Sequence, residues 1–552
     1  MSSEISELII EEPNENDRLL DIENLEETDD AAADEAEEEA LTTGRLLTIF
    51  FSLQVGVFLA AIDSTIVATL LSTIASEFNE FRSVSWIVTG YLISQATFQP
   101  LYGKLSDIFG RKPILIFCNV SFGIGSVLCG VAPNLWFLVA ARVIAGTGGG
   151  GLFTMNAIVL SDIVPLRQRG MFQGVGNIVY GSGAAIGGVV GGLMQEAFGW
   201  RWTFVLQGPI ILMSITAIVV NLELPKVAFD RRLLARIDFA GSISLIAGLC
   251  FFLFGVSAGG TYFAWKSPII LGSLILSVLI LCLFAYIEVA VAKEPVIDIS
   301  VIRNRTVAGS ALTGWFMSMG YFTNIFYVTL YMLTVRGVNA TSSGTTLIPQ
   351  FIGTASGSFA AGVYMTRTGR YFPISILAAT CLFFGMCFLS SIGTETPRLI
   401  VSFLLFIPGF GAGLYYTITL VGLIAAIPHE VQAVCTAVVY GFRTIGATVG
   451  VATAAAIYQN VLAARLEQRI TGPGSQDIID RVQDDIDQIR LIPEAYQPIV
   501  ISCFLDAFHI VMYCSTFLSL CAGISSMFMK EHVLHKSVQN NKNVTKNKGR
   551  GL

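Results

Sequence analysis

The chain has 552 residues, of which 53% are hydrophobic and only 13% charged, and its mean hydropathy is +0.68. That composition excludes an ordinary soluble globular protein and predicts an all-α polytopic membrane protein. The net charge of −7 says little about the body of the chain, because much of the acid lies in the first forty residues, including the run Asp34 to Glu39.

In chain order, residues 1–45 form an acidic tail too polar to fold alone, expected to be disordered and cytoplasmic. Within it, Glu15, Leu19 and Leu20 fit an acidic dileucine pattern, as does the stretch Glu4 to Ile9. No apolar run precedes Leu46, so the first span itself is expected to target the membrane. Apolar runs then predict fourteen spans, near 46–71, 84–102, 114–131, 135–160, 171–194, 202–221, 239–258, 267–290, 307–331, 344–366, 372–392, 398–424, 434–459 and 499–527.

The first span carries a carboxylate, Asp63, in the run Ile62 to Val67. An ionised group there costs on the order of 3 kcal/mol on insertion scales, so it needs a partner or a task. Either it couples transport to protons, or it steadies the helix by bonding to Ser64 or Thr65. Between the second and third spans, Gly103, Asp107, Gly110, Arg111 and Lys112 make a short charged turn. Its glycines allow close approach, and its cations suit a cytoplasmic face. The fourth span holds Arg142, at a predicted depth similar to that of Asp63, as half of a structural ion pair or as a member of a proton path. The fifth span is rich in glycine, among them Gly183, Gly187 and Gly188 at spacings that favour close helix packing.

Gly362, Gly369 and Arg370 repeat the spacing of Gly103, Gly110 and Arg111 at an offset of 259 residues, and Gly446 and Gly450 repeat Gly187 and Gly191 at the same offset. This register predicts a six-span half at 46–221, a linker with two extra spans at 222–306, and a second six-span half at 307–527 that includes a long luminal loop at 460–498. A basic cytoplasmic tail follows at 528–552. In the second half, Arg443 lies mid-helix, and Asp506 and His509 share a face of the last span. Each is a candidate for proton coupling or for a structural or substrate-orienting role. With the N terminus cytoplasmic, fourteen Lys and Arg fall on cytoplasmic turns against five on the short opposite loops. In that topology Asn339 is the acceptor sequon placed outside the cytoplasm. The ten cysteines lie in or beside apolar runs without a C-x-x-C pair and read as small core residues. No P-loop, zinc-ligand cluster or nucleophile–base set is present, so no enzyme activity, cofactor, metal or nucleic-acid partner is expected.

The turn G-x-L-S-D-x-x-G-R-K at Gly103 to Lys112 resembles the signature loop of the major facilitator superfamily of secondary transporters. Ile62-Asp63-Ser64-Thr65-Ile66-Val67, Arg142 with Gly146, and Gly183 to Gly188 resemble motifs of its fourteen-span drug:proton antiporter branch, with Ala184 standing where that branch has proline. Together with the dileucine tail, the chain is most similar to the fungal vacuolar basic amino acid transporters. The resemblance implies a 6+2+6 facilitator fold and a monomer exchanging protons for lysine, histidine and arginine across the vacuolar membrane, its tail read by a sorting adaptor. The rival expectations are a plasma-membrane multidrug:proton exporter and, more remotely, a transporter-like nutrient receptor.

Overall fold

The computed structural model describes residues 15–78, 80, 83, 84, 86–164, 166–222, 236–260, 262–297, 304–338, 340–470, 479, 493 and 496–532. Residues through Phe51 form one unit, and Ser52–Leu552 form the body. In the first unit the backbone is helical from Glu15, where a disordered tail was expected, and residues 31–40 are dominated by Ala and Glu, both strong helix formers. Side chains of Glu15, Leu19 and Leu20 lie outside the described residues, as does Asn339.

Helices α1 (Glu15–Phe78), α2 (Trp86–Phe98), α3 (Leu101–Phe109), α4 (Arg111–Gly130), α5 (Leu135–Ile163), α6 (Leu166–Phe198), α7 (Trp200–Val205) and α8 (Gln207–Asn221) cover the first predicted half. Next come α9 (Phe239–Ala258) and α10 (Pro268–Tyr286). The second half holds α11 (Arg305–Thr334), α12 (Ala340–Thr346), α13 (Ile348–Thr368), α14 (Phe372–Leu389), α15 (Arg398–Ala426), α16 (Gln432–Arg469) and α17 (Gln497–Ser526). Each of the fourteen apolar runs is thus helical, and eleven helical segments among the described residues are long and apolar enough to cross a membrane. The three runs below that threshold lie in α2–α3, α11 and α13, where Ser, Thr, Gln and Gly lower the mean hydropathy.

Local chemistry sets the helix ends. Asn134, Asp238, Ser267 and Asn304 cap α5, α9, α10 and α11 by accepting from backbone amides of the first turn. Gly110 (φ 90°) turns α3 into α4, and Gly369 (φ 69°) ends α13, both in the left-handed region that side chains disfavour. The two glycines share a positive φ but not a full conformation, with ψ 156° at Gly110 and 12° at Gly369. One apolar core, around Ile66, Leu70, Leu138 and Phe204, fills the first half. Another, around Tyr331, Leu382, Leu405 and Phe508, fills the second.

Candidate functional site: a cavity and a sealed ion pair

Between the halves lies a cavity of about 270 Å³ lined by α1, α2 and α6 on one side and α11, α13, α15 and α16 on the other. Its wall is aromatic, with Tyr91, Tyr180, Tyr321, Phe326, Tyr416 and Tyr440. Among the described residues that line it, Arg443 supplies the single formal charge.

The cavity is closed on the side of the Gly103 turn. Gly103 of α3 meets the start of α16 so closely that a Cβ would stand 2.6 Å from the Ala433 carbonyl oxygen. Its repeat partner Gly362 abuts the Gly170 backbone, and a Cβ on Gly174 would stand 2.8 Å from the Phe359 Cα. Side chains complete the seal: Asn177 donates to the Ser358 hydroxyl, and Gln173 Nε2 donates to the Tyr440 hydroxyl at 3.4 Å. Gly103 and Gly362 are related by the 259-residue register, and the position that corresponds to Ala433 is Gly174, one turn along α6 from Gly170.

Next to that seal the charged turn is a network. Arg111 donates to Asp107 (2.5 Å), to Asp162 (2.8 Å) and to the Ser106 hydroxyl (2.8 Å). Burial pushes the Asp107 carboxyl above its usual range, with Arg111 pulling it the other way. Lys112 Nζ donates to the carbonyls of Val219 and Leu222, both at 2.8 Å, taking up free carbonyls at the end of α8. Lys104 and Arg236 converge on Glu294, whose carboxyl is held below the usual range by Arg236 and then Lys104. Glu288, just beyond α10, is buried and accepts from the Val296 and Ile297 amides.

Asp63 and Arg142 meet. Arg142 Nη1 donates to Asp63 Oδ2 at 2.6 Å with both side chains sealed from solvent, and Gln207 Nε2 donates to Asp63 Oδ1 at 3.3 Å. Ser64 and Thr65 bond to the Ala61 and Ile62 carbonyls, so the carboxylate is held across helices rather than by its neighbours in sequence. Neither charge lines the cavity. Tyr91 stands between, its ring 4.2 Å from the Arg142 guanidinium carbon and its buried hydroxyl without a hydrogen-bond partner among the described residues. Sequence reasoning missed Tyr91 and Gln207; a phenol and an amide inside apolar runs were the only signal.

Gly187 lets α6 lie against α1, since a Cβ there would stand 2.6 Å from the Ile62 carbonyl oxygen. Gly183 does the same against the Phe58 carbonyl oxygen at 2.8 Å, whereas at Gly188 a Cβ would make only an ordinary 3.6 Å contact with Thr69. With Ala184 in place of proline, α6 is one continuous helix. Asp506 and His509 lie outside the cavity. Asp506 pairs with Arg469 (2.6 Å) and Arg465 (3.7 Å), and His509 Nε2 lies 2.8 Å from the Ile392 carbonyl oxygen.

A two-half helical body around a central cavity, with a paired glycine seal, is the geometry of a rocking transporter, and residues 53–451 match the family model of the Major Facilitator Superfamily. The chain belongs to the Major Facilitator Superfamily. It is a multi-pass membrane transporter and not an enzyme. Among its relatives in Schizosaccharomyces pombe, it is 36% identical to Multidrug resistance protein fnx1, over 89% of this chain and 94% of that one. It is also 36% identical to the Vacuolar membrane amino acid uptake transporter fnx2, over 90% and 87%. The solved proton:xylose symporter XylE shares the fold with a TM-score of 0.54 at 14% identity, covering 90% of this facilitator and 98% of that chain.

Proposed function

We propose that this facilitator is a fourteen-span, 6+2+6 proton antiporter of the vacuolar membrane that carries the basic amino acids lysine, histidine and arginine from cytosol to lumen. The observation that carries the reading is the sealed Asp63–Arg142 pair at 2.6 Å in one half of a facilitator. A carboxylate releases its proton while a guanidinium is against it and binds one when the guanidinium recedes. Rocking of the halves, which separates or restores such a pair, then exchanges one proton per cycle. A vacuolar pH difference of about two units supplies about 2.7 kcal/mol per proton, near a hundredfold accumulation for neutral one-for-one exchange. Because Asp63 faces away from the cavity, substrate and proton use separate places rather than one shared carboxylate. The name of fnx2 supports the amino-acid and vacuolar parts of the reading.

A second reading, multidrug export at the plasma membrane, is favoured by the name of fnx1 and by the largely aromatic cavity wall. Vacuolar vesicles separate the two: labelled lysine, histidine and arginine should accumulate in an ATP-dependent, protonophore-sensitive way that disappears when the protein is removed. Inert vesicles together with drug efflux from whole cells would replace the first reading with the second. The address has its own check, since Leu19→Ala with Leu20→Ala should shift a tagged protein toward the plasma membrane. Unchanged vacuolar fluorescence, with Leu8 and Ile9 also replaced, would remove the sorting argument.

A further inference from the structure

Arg443 is buried, at 6% exposure, yet among the described residues no carboxylate lies within ion-pair distance of it. It donates to the Thr419 hydroxyl and to the Tyr416 carbonyl oxygen (3.1 Å), and its guanidinium carbon lies 5.2 Å and 4.9 Å from the rings of Tyr416 and Tyr440. Its Nε has no hydrogen-bond partner among the described residues. A cation kept from water with only neutral partners is costly unless something anionic completes it. Room has been made for it: a Cβ on Gly314 of α11 would stand 2.9 Å from the Arg443 Cγ.

A Cβ on Gly441 of α16 would stand 2.8 Å from Pro100 Cγ, which sets the α2–α3 junction, where Gln99 lies, against α16. Gln99 is also buried and also lines the cavity; its Nε2 donates to the Gly150 carbonyl oxygen at 3.4 Å, leaving Oε1 without a donor. Two buried polar side chains, each with one atom lacking a hydrogen-bond partner among the described residues, thus stand in the wall of one cavity from opposite halves. That pair of needs matches the two ends of a zwitterion.

We propose that Arg443 is the carboxylate anchor of the cavity and Gln99 Oε1 the acceptor for the adjacent ammonium, so that the transported class is free α-amino acids. The inference rests on the amino-acid reading above and narrows it: the substrate is recognised by its α-carboxylate and α-ammonium, and the side-chain cation lies along the tyrosine wall. Guanidinium suits a carboxylate because two parallel N–H groups match its two oxygens, which a lysine cannot reproduce. Lone positive charge in the cavity also rejects cationic compounds that lack a carboxylate.

The test is ligand-induced thermal stabilisation of the purified full-length protein, with lysine and with cadaverine, which is lysine without its carboxylate. Lysine should raise the melting temperature of the wild type and a hundredfold excess of cadaverine should not. Arg443→Gln should abolish the lysine shift, and Arg443→Lys should weaken binding at least tenfold. Equal stabilisation by cadaverine, or an undiminished lysine shift in Arg443→Gln, overturns the inference. The wild-type comparison decides even if the variants fail to fold. Binding as expected, with no uptake of lysine by vesicles, would uphold the carboxylate anchor while overturning the proposed direction of transport. Absence of any shift with any amino acid overturns both.

Discussion

The two halves share their backbone devices and differ in their charges. Gly103 and Gly362 both press against the opposite half, and Gly110 and Gly369 both adopt positive φ. In the first half, however, Arg111 is wrapped by Asp107 and Asp162; the residues 259 further on are Thr366 and Val421, and Arg370 is exposed with no ion pair among the described residues. The same holds deeper in the fold. Asp63 and Arg142 correspond to Phe322 and Val401, while Arg443 corresponds to Ala184. One half holds a neutralised, sealed pair and the other a buried cation in the cavity wall with no carboxylate partner among the described residues. Duplicated glycines keep the hinge symmetric, whereas single charges let each half take a separate task.

Breaking the sealed pair should have the largest effect. Asp63→Asn leaves Arg142 buried without a counter-charge, which is expected to cost about 3 to 5 kcal/mol of stability and to abolish proton-driven accumulation in reconstituted vesicles. Replacing both partners by apolar residues of similar volume, Asp63→Leu with Arg142→Met, should restore the melting temperature without restoring accumulation. Retained concentrative uptake in Asp63→Asn would exclude Asp63 as the carrier and direct attention to Asp506 and His509.

A side chain on either seal glycine comes next. Gly103→Leu and Gly362→Leu should each disfavour this closed conformation by about 1 to 3 kcal/mol through overpacking. Cysteine placed at Ser358 should then react faster with a probe added on the turn side. Equal, unaltered labelling in both variants would deny the seal its steric basis.

The difference between the two turns is tested by pairing variants. Asp107→Asn and Arg111→Ala should slow turnover by roughly tenfold or more, since charge-assisted hydrogen bonds are worth about 1.5 to 3 kcal/mol, while substrate affinity changes less. Arg370→Ala should leave turnover within about twofold. Wild-type rates in all three would make the first turn a topological anchor only. Smallest of all, Glu294→Gln removes the half-exposed carboxylate that Lys104 and Arg236 share and should lower stability by about 1 kcal/mol or less, an effect that should fade at high salt.

Much of this was readable in the chain before the structure. Apolar run length gave the helices, because a helix in lipid must satisfy its own backbone and needs a fixed number of residues to cross. The repeat was readable because glycine at a seal and glycine at a positive φ are positions where no other residue fits, so Gly103, Gly110, Gly362 and Gly369 kept their spacing. Similar depth hinted at the meeting of Asp63 with Arg142, but not at which face of α1 the carboxylate would take. Tyr91, Gln99 and Gln207 left no trace of their roles, since a polar residue in an apolar run is the same letter whether it faces a cavity, an ion pair or a carbonyl. Asp506 and His509 show the reverse: their i, i+3 spacing read as one site, yet they bond to different partners away from the cavity.

The two intervening helices have a mechanical consequence. At one end Trp86 of α2 is stacked on Phe254 and Tyr262, and at the other Lys104 and Arg236 grip Glu294, so α9 and α10 are riveted to the first half at both ends. Toward α16 the packing is apolar: Leu245, Leu249 and Leu253 share one cluster with Val438 and Ile445. Apolar contact has no preferred direction along its surface. The extra pair is therefore fixed to the first half by ring stacking and an ion pair, and turns toward α16 an apolar face that favours no one direction of sliding.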